Sequence, residues 1–358
     1  MSALPFAERA KGAIYGMAFG DSWGFPTEFM RHADILFVEP PAPARLQITD
    51  DTQMSLYNGR ALQRILKEES LDDLLEDEAK QNRLRKLFAE QHLEFEVDPD
   101  NSRAPGRTVM TALYYYRRSV QLTGLEGSAL NDSKGCGTVM RAPWFGLLPS
   151  SRSVIALLAV LQSETTHGHP QAALCSAVAA LFLKDIVDGK LATGGDSARE
   201  RLERSLHAAV ILANEVGSIP VARLQSERFA QGIRDFKESV YEIIYQLDSR
   251  GDADLLDGRL DICEFFGQGW VADEALLCAI GSVALYQTDS YEGIKRLVYS
   301  NGDSDSIAAI GGAFFGAHLG YDALEADLRA NGIRIKRAFE PRYELELAEA
   351  TDFYSVQR

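Results

Sequence analysis

The sequence predicts an all-α fold built as one compact domain over residues 1–358. Apolar residues recur at helical spacing in about a dozen segments, and runs of strand-like alternation are scarce. No solenoid-type repeat and no Pro/Gly/Ser-rich linker divides the chain. With 46% hydrophobic residues in 358, there is ample material for one large core.

Taken in order, residues 6–20 predict a helix with Phe6, Ala10, Ala13, Ile14, Met17 and Ala18 on one side. Gly12, Gly16 and Gly20 recur every four residues, at a cost of about 1 kcal/mol each against alanine. That repeat predicts close approach of another backbone on the glycine face. Pro26 breaks the pattern, and Glu28 follows in a loop. Residues 30–48 are proline-rich and predict a loop, and 53–67 a helix. Residues 70–94 interleave leucines with charges and predict a surface helical layer. A polar loop spans 95–104, and a new helix opens at Pro105 and runs through Tyr114–Tyr116. Residues 135–149 read as a glycine loop entering a helix start.

Helices are then expected at 153–163, 171–188, 197–216, 220–231 and 234–249, with loop at 190–198. An acidic, glycine-containing connection covers 250–270. Helices follow from Trp270 to Tyr286, over 290–299 and over 303–319, with a mostly helical tail carrying short extended pieces.

The net charge of −15 speaks against sequence-independent binding to nucleic acid or an anionic membrane, which needs a basic face. The four cysteines (Cys136, Cys175, Cys263, Cys278) have no compact spacing. They predict neither a disulfide framework nor a zinc site, and a reducing, cytoplasmic setting. The first residues show no leader pattern. The most apolar window, 172–183, is shorter than the roughly 20 residues that cross a bilayer.

Two acidic knots stand out. Ser300-Asn301-Gly302-Asp303-Ser304-Asp305-Ser306 precedes a helix of small and apolar residues that can only be buried. Thr49-Asp50-Asp51-Thr52 precedes another helical pattern. Carboxylates at helix starts are favoured by the dipole and by free N–H groups, so capping alone would explain a lone acid. Here several oxygen donors converge, and adjacent carboxylates repel unless a cation or strong hydrogen-bond donors lie between them. Hard divalent cations take such ligands. Gly135-Cys136-Gly137-Thr138-Val139-Met140-Arg141 can present backbone N–H groups to a phosphate. His167 and His169 lack a third nitrogen or sulfur ligand nearby and read as hydrogen-bonding or stacking groups.

Five ordered segments now resemble one family, the ADP-ribosylglycohydrolases: Gly20-Asp21 to Pro26-Thr27-Glu28, Thr49-Asp50-Asp51-Thr52, Gly135 to Arg141, Thr166-His167-Gly168-His169-Pro170, and Gly302-Asp303-Ser304-Asp305-Ser306. Trp270-Val271-Ala272-Asp273-Glu274-Ala275 is also similar to a family segment. The resemblance implies a dinuclear centre of two Mg²⁺, with Mn²⁺ as a substitute. Thr49, Asp50 and Asp51 would hold one ion, and Asp303, Asp305 and Ser306 the other, with Asp305 between them. Glu28, Asp50 and Asp305 would be the catalytic acids. Gly135, Gly137, Thr138, Met140, Arg141, His167 and Ser304 would hold the substrate. The departures are Cys136 in place of the asparagine many relatives carry, Asn301 in place of a frequent glycine, and Ser306 in place of threonine.

The implied activity is Mg-dependent hydrolysis of the N-glycosidic bond at the distal ribose of an ADP-ribosylated protein, with arginine as the expected acceptor. The development of oxocarbenium character suits a cage of carboxylates. A second reading is an antidote that occludes a cognate ADP-ribosyltransferase. A third, phosphate-ester hydrolysis, is opposed by the lack of an Arg/Lys cluster beside the acidic motifs.

Overall fold

Helical periodicity becomes helix almost throughout. The computed structural model describes residues 4–123, 131–191, 197–335 and 338–356. The helices are α1 (Phe6–Gly24), α2 (His32–Val38), α3 (Asp50–Glu68), α4 (Glu78–Glu96), α5 (Arg107–Thr123), α6 (Arg152–Ser163), α7 (Pro170–Val187) and α8 (Ala198–Ser218). They continue with α9 (Glu227–Leu247), the single turns α10 (Asp252–Leu255) and α11 (Cys263–Phe266), then α12 (Ala272–Tyr286), α13 (Ser290–Val298), α14 (Ser304–Leu319), α15 (Tyr321–Ala330) and α16 (Pro341–Ser355). Extended pairing among the described residues is confined to two isolated bridges, Leu46 with Phe339 and Gly135 with Val271. The all-α expectation holds.

Several boundaries differ from the sequence reading, each for a local reason. Helix α1 runs on to Gly24, because Gly20 and Gly24 are stabilised by the partner they pack against. The stretch expected to be loop at 30–48 contains α2, which ends before the prolines. The charged layer starts at α4, where the Asp77 carboxylate accepts the Lys80 N–H at 2.9 Å; residues 72–76 form a turn ahead of it. The two helices expected over 220–249 are one, α9, whose cap is Ser226. Gly232 lies inside it against Pro170 and does not break it. Of the loop expected at 190–198, residues 192–196 lie outside the described residues, as do 336–337 of the tail.

The predicted glycine face is the central seam. Helices α1 and α14 run antiparallel with their small residues in register. A Cβ built on Gly12 would fall 2.1 Å from the Gly316 carbonyl oxygen, on Gly16 2.2 Å from that of Gly312, and on Gly20 1.9 Å from that of Ala308. On Gly24 it would fall 2.4 Å from that of Ser304. Nothing larger than hydrogen fits. The seam therefore fixes which residues meet at its far end: the C-terminus of α1 is delivered to the N-terminus of α14.

Around this pair lie α12, α13, α15 and α16, while α7 links the seam to α6, α8 and α9. Helix α7 has the length and composition of a membrane-crossing helix, but 83% of it is buried inside the molecule, where it serves as a core helix.

Candidate functional site

The site begins where the seam ends. Gly302 is pressed onto Gln268, whose carbonyl oxygen accepts the Asp303 N–H at 2.8 Å. Asp261 holds the preceding Asn301 N–H at 3.0 Å. Asp303 is the N-cap residue of α14, yet its carboxylate makes no capping bond. It accepts instead from the Cys136 thiol, with Sγ 2.7 Å from Oδ2. Capping alone therefore does not account for this acid.

The first knot is held from below by Asp21, a residue of the Gly20–Glu28 segment to which sequence reasoning gave no role of its own. The Asp21 carboxylate, wholly buried in α1, accepts the Thr49 N–H (3.0 Å), the Thr49 hydroxyl (2.8 Å), the Thr52 N–H (3.1 Å) and the Thr52 hydroxyl (2.5 Å). It caps the start of α3 from another helix. Asp50 in turn accepts the Gly106 N–H at 3.1 Å. On the third side, Thr27 ties the loop before Glu28 to the Val298 carbonyl at 2.9 Å and lies 3.1 Å from the Ser304 hydroxyl.

The outcome is two overlapping carboxylate triads, Asp21–Asp51–Asp305 and Glu28–Asp303–Asp305. Within each, one oxygen per residue lies within 4.8 Å of the others. They share Asp305. All of these but Asp21, which lies beneath, line the floor of a cavity of about 460 Å³ whose lining also includes Asp50, Gly106, Arg107, Gly135, Cys136, Gly137, Met140, His167, Trp270 and Ser306. Five carboxylates face one guanidinium, that of Arg107, in this described lining.

Such crowding is costly without a cation. Burial first, and mutual repulsion second, hold Asp51 and Asp305 well above the ordinary carboxylate range. Burial also raises Asp50 well above it and, more moderately, Asp303. Asp21 is pushed up to about 6 by burial, against four stabilising hydrogen bonds. Glu28 is pushed up to about 7 by burial and by the charge of Asp303. Asp51 Oδ1 is buried with no hydrogen-bond partner. A buried carboxylate oxygen facing other carboxylates and no donor is what a divalent cation satisfies. The donor set, all oxygen at the floor, fits hard ions.

The opposite wall is the glycine loop. Cys136 donates its N–H to the Trp270 carbonyl at 3.1 Å, and Ala272 donates to that of Lys134 at 2.8 Å, stapling the loop to the start of α12. A Cβ on Gly135 or Gly137 would lie 3.2 Å from the His167 ring, so the loop backbone packs flat on the imidazole. Burial pushes His167 down to about 3, and the nearby Arg141 charge adds to this, so the ring is neutral. Its Nδ1 lies 2.9 Å from the Thr166 hydroxyl.

A family model described as ADP-ribosylglycohydrolase matches residues 2–353. The chain belongs to the ADP-ribosylglycohydrolase family. It is similar to "Uncharacterized protein YegU" of Escherichia coli (strain K12), 26% identical over 363 residues and covering 96% of this chain and 97% of that protein. The fold matches a solved structure titled "ADP-ribosylglycohydrolase-related protein complex", with a TM-score of 0.63, 21% identity and 99% of each chain covered.

Within this family frame, the residues singled out from sequence separate into two groups. Glu28, Asp50, Asp51, Asp303, Asp305 and Ser306 meet at the cavity floor, and Gly135, Gly137, Met140 and His167 line its wall. Four others lie beneath it. Thr49 points its hydroxyl at Asp21 and at Asp51 (3.0 Å). Thr138 donates to the Ala172 carbonyl at 3.1 Å, and Ser304 to that of Gly24 at 2.9 Å. Arg141 is fully buried and bonded to Gln162 Oε1 (2.6 Å) and the Thr166 hydroxyl (2.8 Å). In this ADP-ribosylglycohydrolase fold its guanidinium props up the Thr166–His167 turn and does not reach the cavity wall. Burial lowers it to about 9.

Proposed function

We propose that this protein is a Mg-dependent ADP-ribosylhydrolase that releases mono-ADP-ribose from protein side chains, arginine above all. The observation that carries the reading is the pair of carboxylate triads sharing Asp305, at and just beneath the floor of a cavity walled by a glycine loop. Thr49, Asp50 and Asp51 would hold one divalent ion and Asp303, Asp305 and Ser306 the second, with Asp305 between them; Asp21, its carboxylate filled by four hydrogen bonds, supports the first set from beneath. When bound, such ions neutralise the carboxylates and supply Lewis-acid polarisation at the ribose oxygens.

The chain's own residues supply the rest. The glycine loop offers backbone at close range to a diphosphate, and the neutral His167 ring holds that loop flat. Asp50 is fixed by Gly106 N–H and faces the cavity, so its charge favours an oxocarbenium-like ribose. Glu28 is half-buried where the floor meets the mouth, in a position to take the proton from an attacking water. Water oxygen bonds to the distal ribose C1″. The C1″–N bond breaks with its electron pair passing to the guanidine nitrogen, which ends with one proton from that water.

The test is hydrolysis of arginine- and serine-linked ADP-ribosylated proteins, side by side, with Mg²⁺ and with a chelator. Release from the arginine linkage, lost on chelation and in the Asp50→Ala/Asp303→Ala double variant, supports the reading. Release by that double variant, or no release by the native protein, refutes it.

A further inference from the structure

The cavity has an aromatic lip with no role so far. Phe29 and Trp270 both line it, with ring centroids 5.4 Å apart and planes 18° from parallel. Phe29 is 76% exposed and adopts φ +66°, a left-handed conformation that costs a bulky residue on the order of 1 kcal/mol or more. An exposed phenylalanine alone is ordinary. This one is strained, follows Glu28 directly and is stacked on a partner that is itself held in place. The Trp270 carbonyl takes the Cys136 N–H; the preceding Gly269, at φ +77°, packs against Ile307 of α14, and the Gln268 carbonyl takes the Asp303 N–H. Two flat rings are thus anchored to the catalytic loop on one side and the acidic turn on the other, above five carboxylates.

A π face beside a strongly negative floor favours a planar cation, and guanidinium stacks on aromatic rings where a hydroxyl gains nothing. We propose that Phe29 and Trp270 form a platform that receives the guanidinium of the scissile side chain, and so select guanidine-linked over hydroxyl-linked substrates. The inference rests on the hydrolase reading above: a ribose seated over Glu28, Asp303 and Asp305 directs its leaving group outward across Phe29.

The test has a binding arm and a kinetic arm. Trp23 and Trp144 are buried, so of the three tryptophans Trp270 is the one that soluble probes meet. Methylguanidine should quench its fluorescence and bind about tenfold more tightly than methylammonium, and Phe29→Ala should erase the difference. In the kinetic arm, Phe29→Ala and Trp270→Ala should lose about tenfold more kcat/KM on the arginine linkage than on the serine linkage, with Trp270→Phe largely restoring it. Equal losses on both linkages, or quenching by adenosine in place of methylguanidine, would overturn the platform. If the native protein hydrolyses neither linkage, the hydrolase reading fails, and the fluorescence arm alone decides the platform.

Discussion

Gly24 of α1 and Ser304 of α14 touch backbone to backbone, so closely that a methyl group on the glycine would sit 2.4 Å from the serine carbonyl oxygen. This contact is the last rung of the small-residue seam, and it sets the distance between Glu28 and the Asp303–Asp305 turn. Everything chemical in the molecule hangs from that register.

The seam should therefore tolerate no added carbon. Gly16→Ala and Gly312→Ala each drive a Cβ to within 2.2 Å of a backbone oxygen, and each should lower stability by about 3 kcal/mol or abolish folding. Gly59, in α3, is the control: its Cβ would meet nothing nearer than the Tyr354 hydroxyl at 3.9 Å. Gly59→Ala should be neutral or stabilising by up to about 1 kcal/mol. Thermal melts of the three variants check this.

Asp21 should matter to the centre as much as any acid that lines the cavity. Asp21→Asn replaces an acceptor of four hydrogen bonds with a group that turns an N–H₂ toward donors. We expect a loss of about 2–4 kcal/mol and of most divalent-ion binding. Calorimetric titration with Mg²⁺ reads the second effect, and a variant that binds Mg²⁺ as the native protein does would remove Asp21 from the centre.

Stability without metal should depend on pH in a stated direction. Asp21 and Glu28 are raised to about 6 and about 7, and Asp50, Asp51 and Asp305 are also raised. Groups with folded values above their unfolded ones contribute stability that is fully present at acid pH and is lost as pH rises through the folded value. The chelated protein should thus melt lower at about pH 8 than at about pH 4, the fall beginning near the unfolded carboxylate values and running to about 6 for Asp21 and about 7 for Glu28. Mg²⁺ should restore more of the melting temperature at the higher pH, since it replaces the lost protons. Equal restoration at both pH values would argue against ion binding by these groups.

Cys136 offers a reporter. It is half-buried, whereas Cys175, Cys263 and Cys278 are buried. Burial, with Asp303 beside it, pushes its thiol well above the usual range. Native protein should react with a thiol reagent at one slow site and denatured protein at four, with ADP-ribose protecting the slow one. Fast labelling, or no protection, would place Cys136 away from the binding wall.

The sequence discloses this architecture unevenly, for physical reasons. A glycine every four residues has little explanation other than close packing, so the α1 seam is readable before any partner is known. Acids ahead of helices mark the floor in the same way. Asp21 is not readable, because its four donors come from Thr49 and Thr52, and nothing in a helix interior advertises a contact some thirty residues away. Arg141 misleads for the opposite reason. It sits next to a phosphate-type loop, but its partners, Gln162 and Thr166, are brought in by the fold and draw it under the wall. Helix α2 hides among prolines that merely bound it.

The seam also has a consequence during synthesis. Its two strips of small residues are Gly12, Gly16, Gly20 and Gly24 on one helix and Ser304, Ala308, Gly312 and Gly316 on the other, so the ribosome delivers the first strip long before the second. Until then α1 presents an uncovered groove, and neither triad can close, since both need Asp305. A polypeptide halted anywhere before that point would carry only half of the carboxylate cluster.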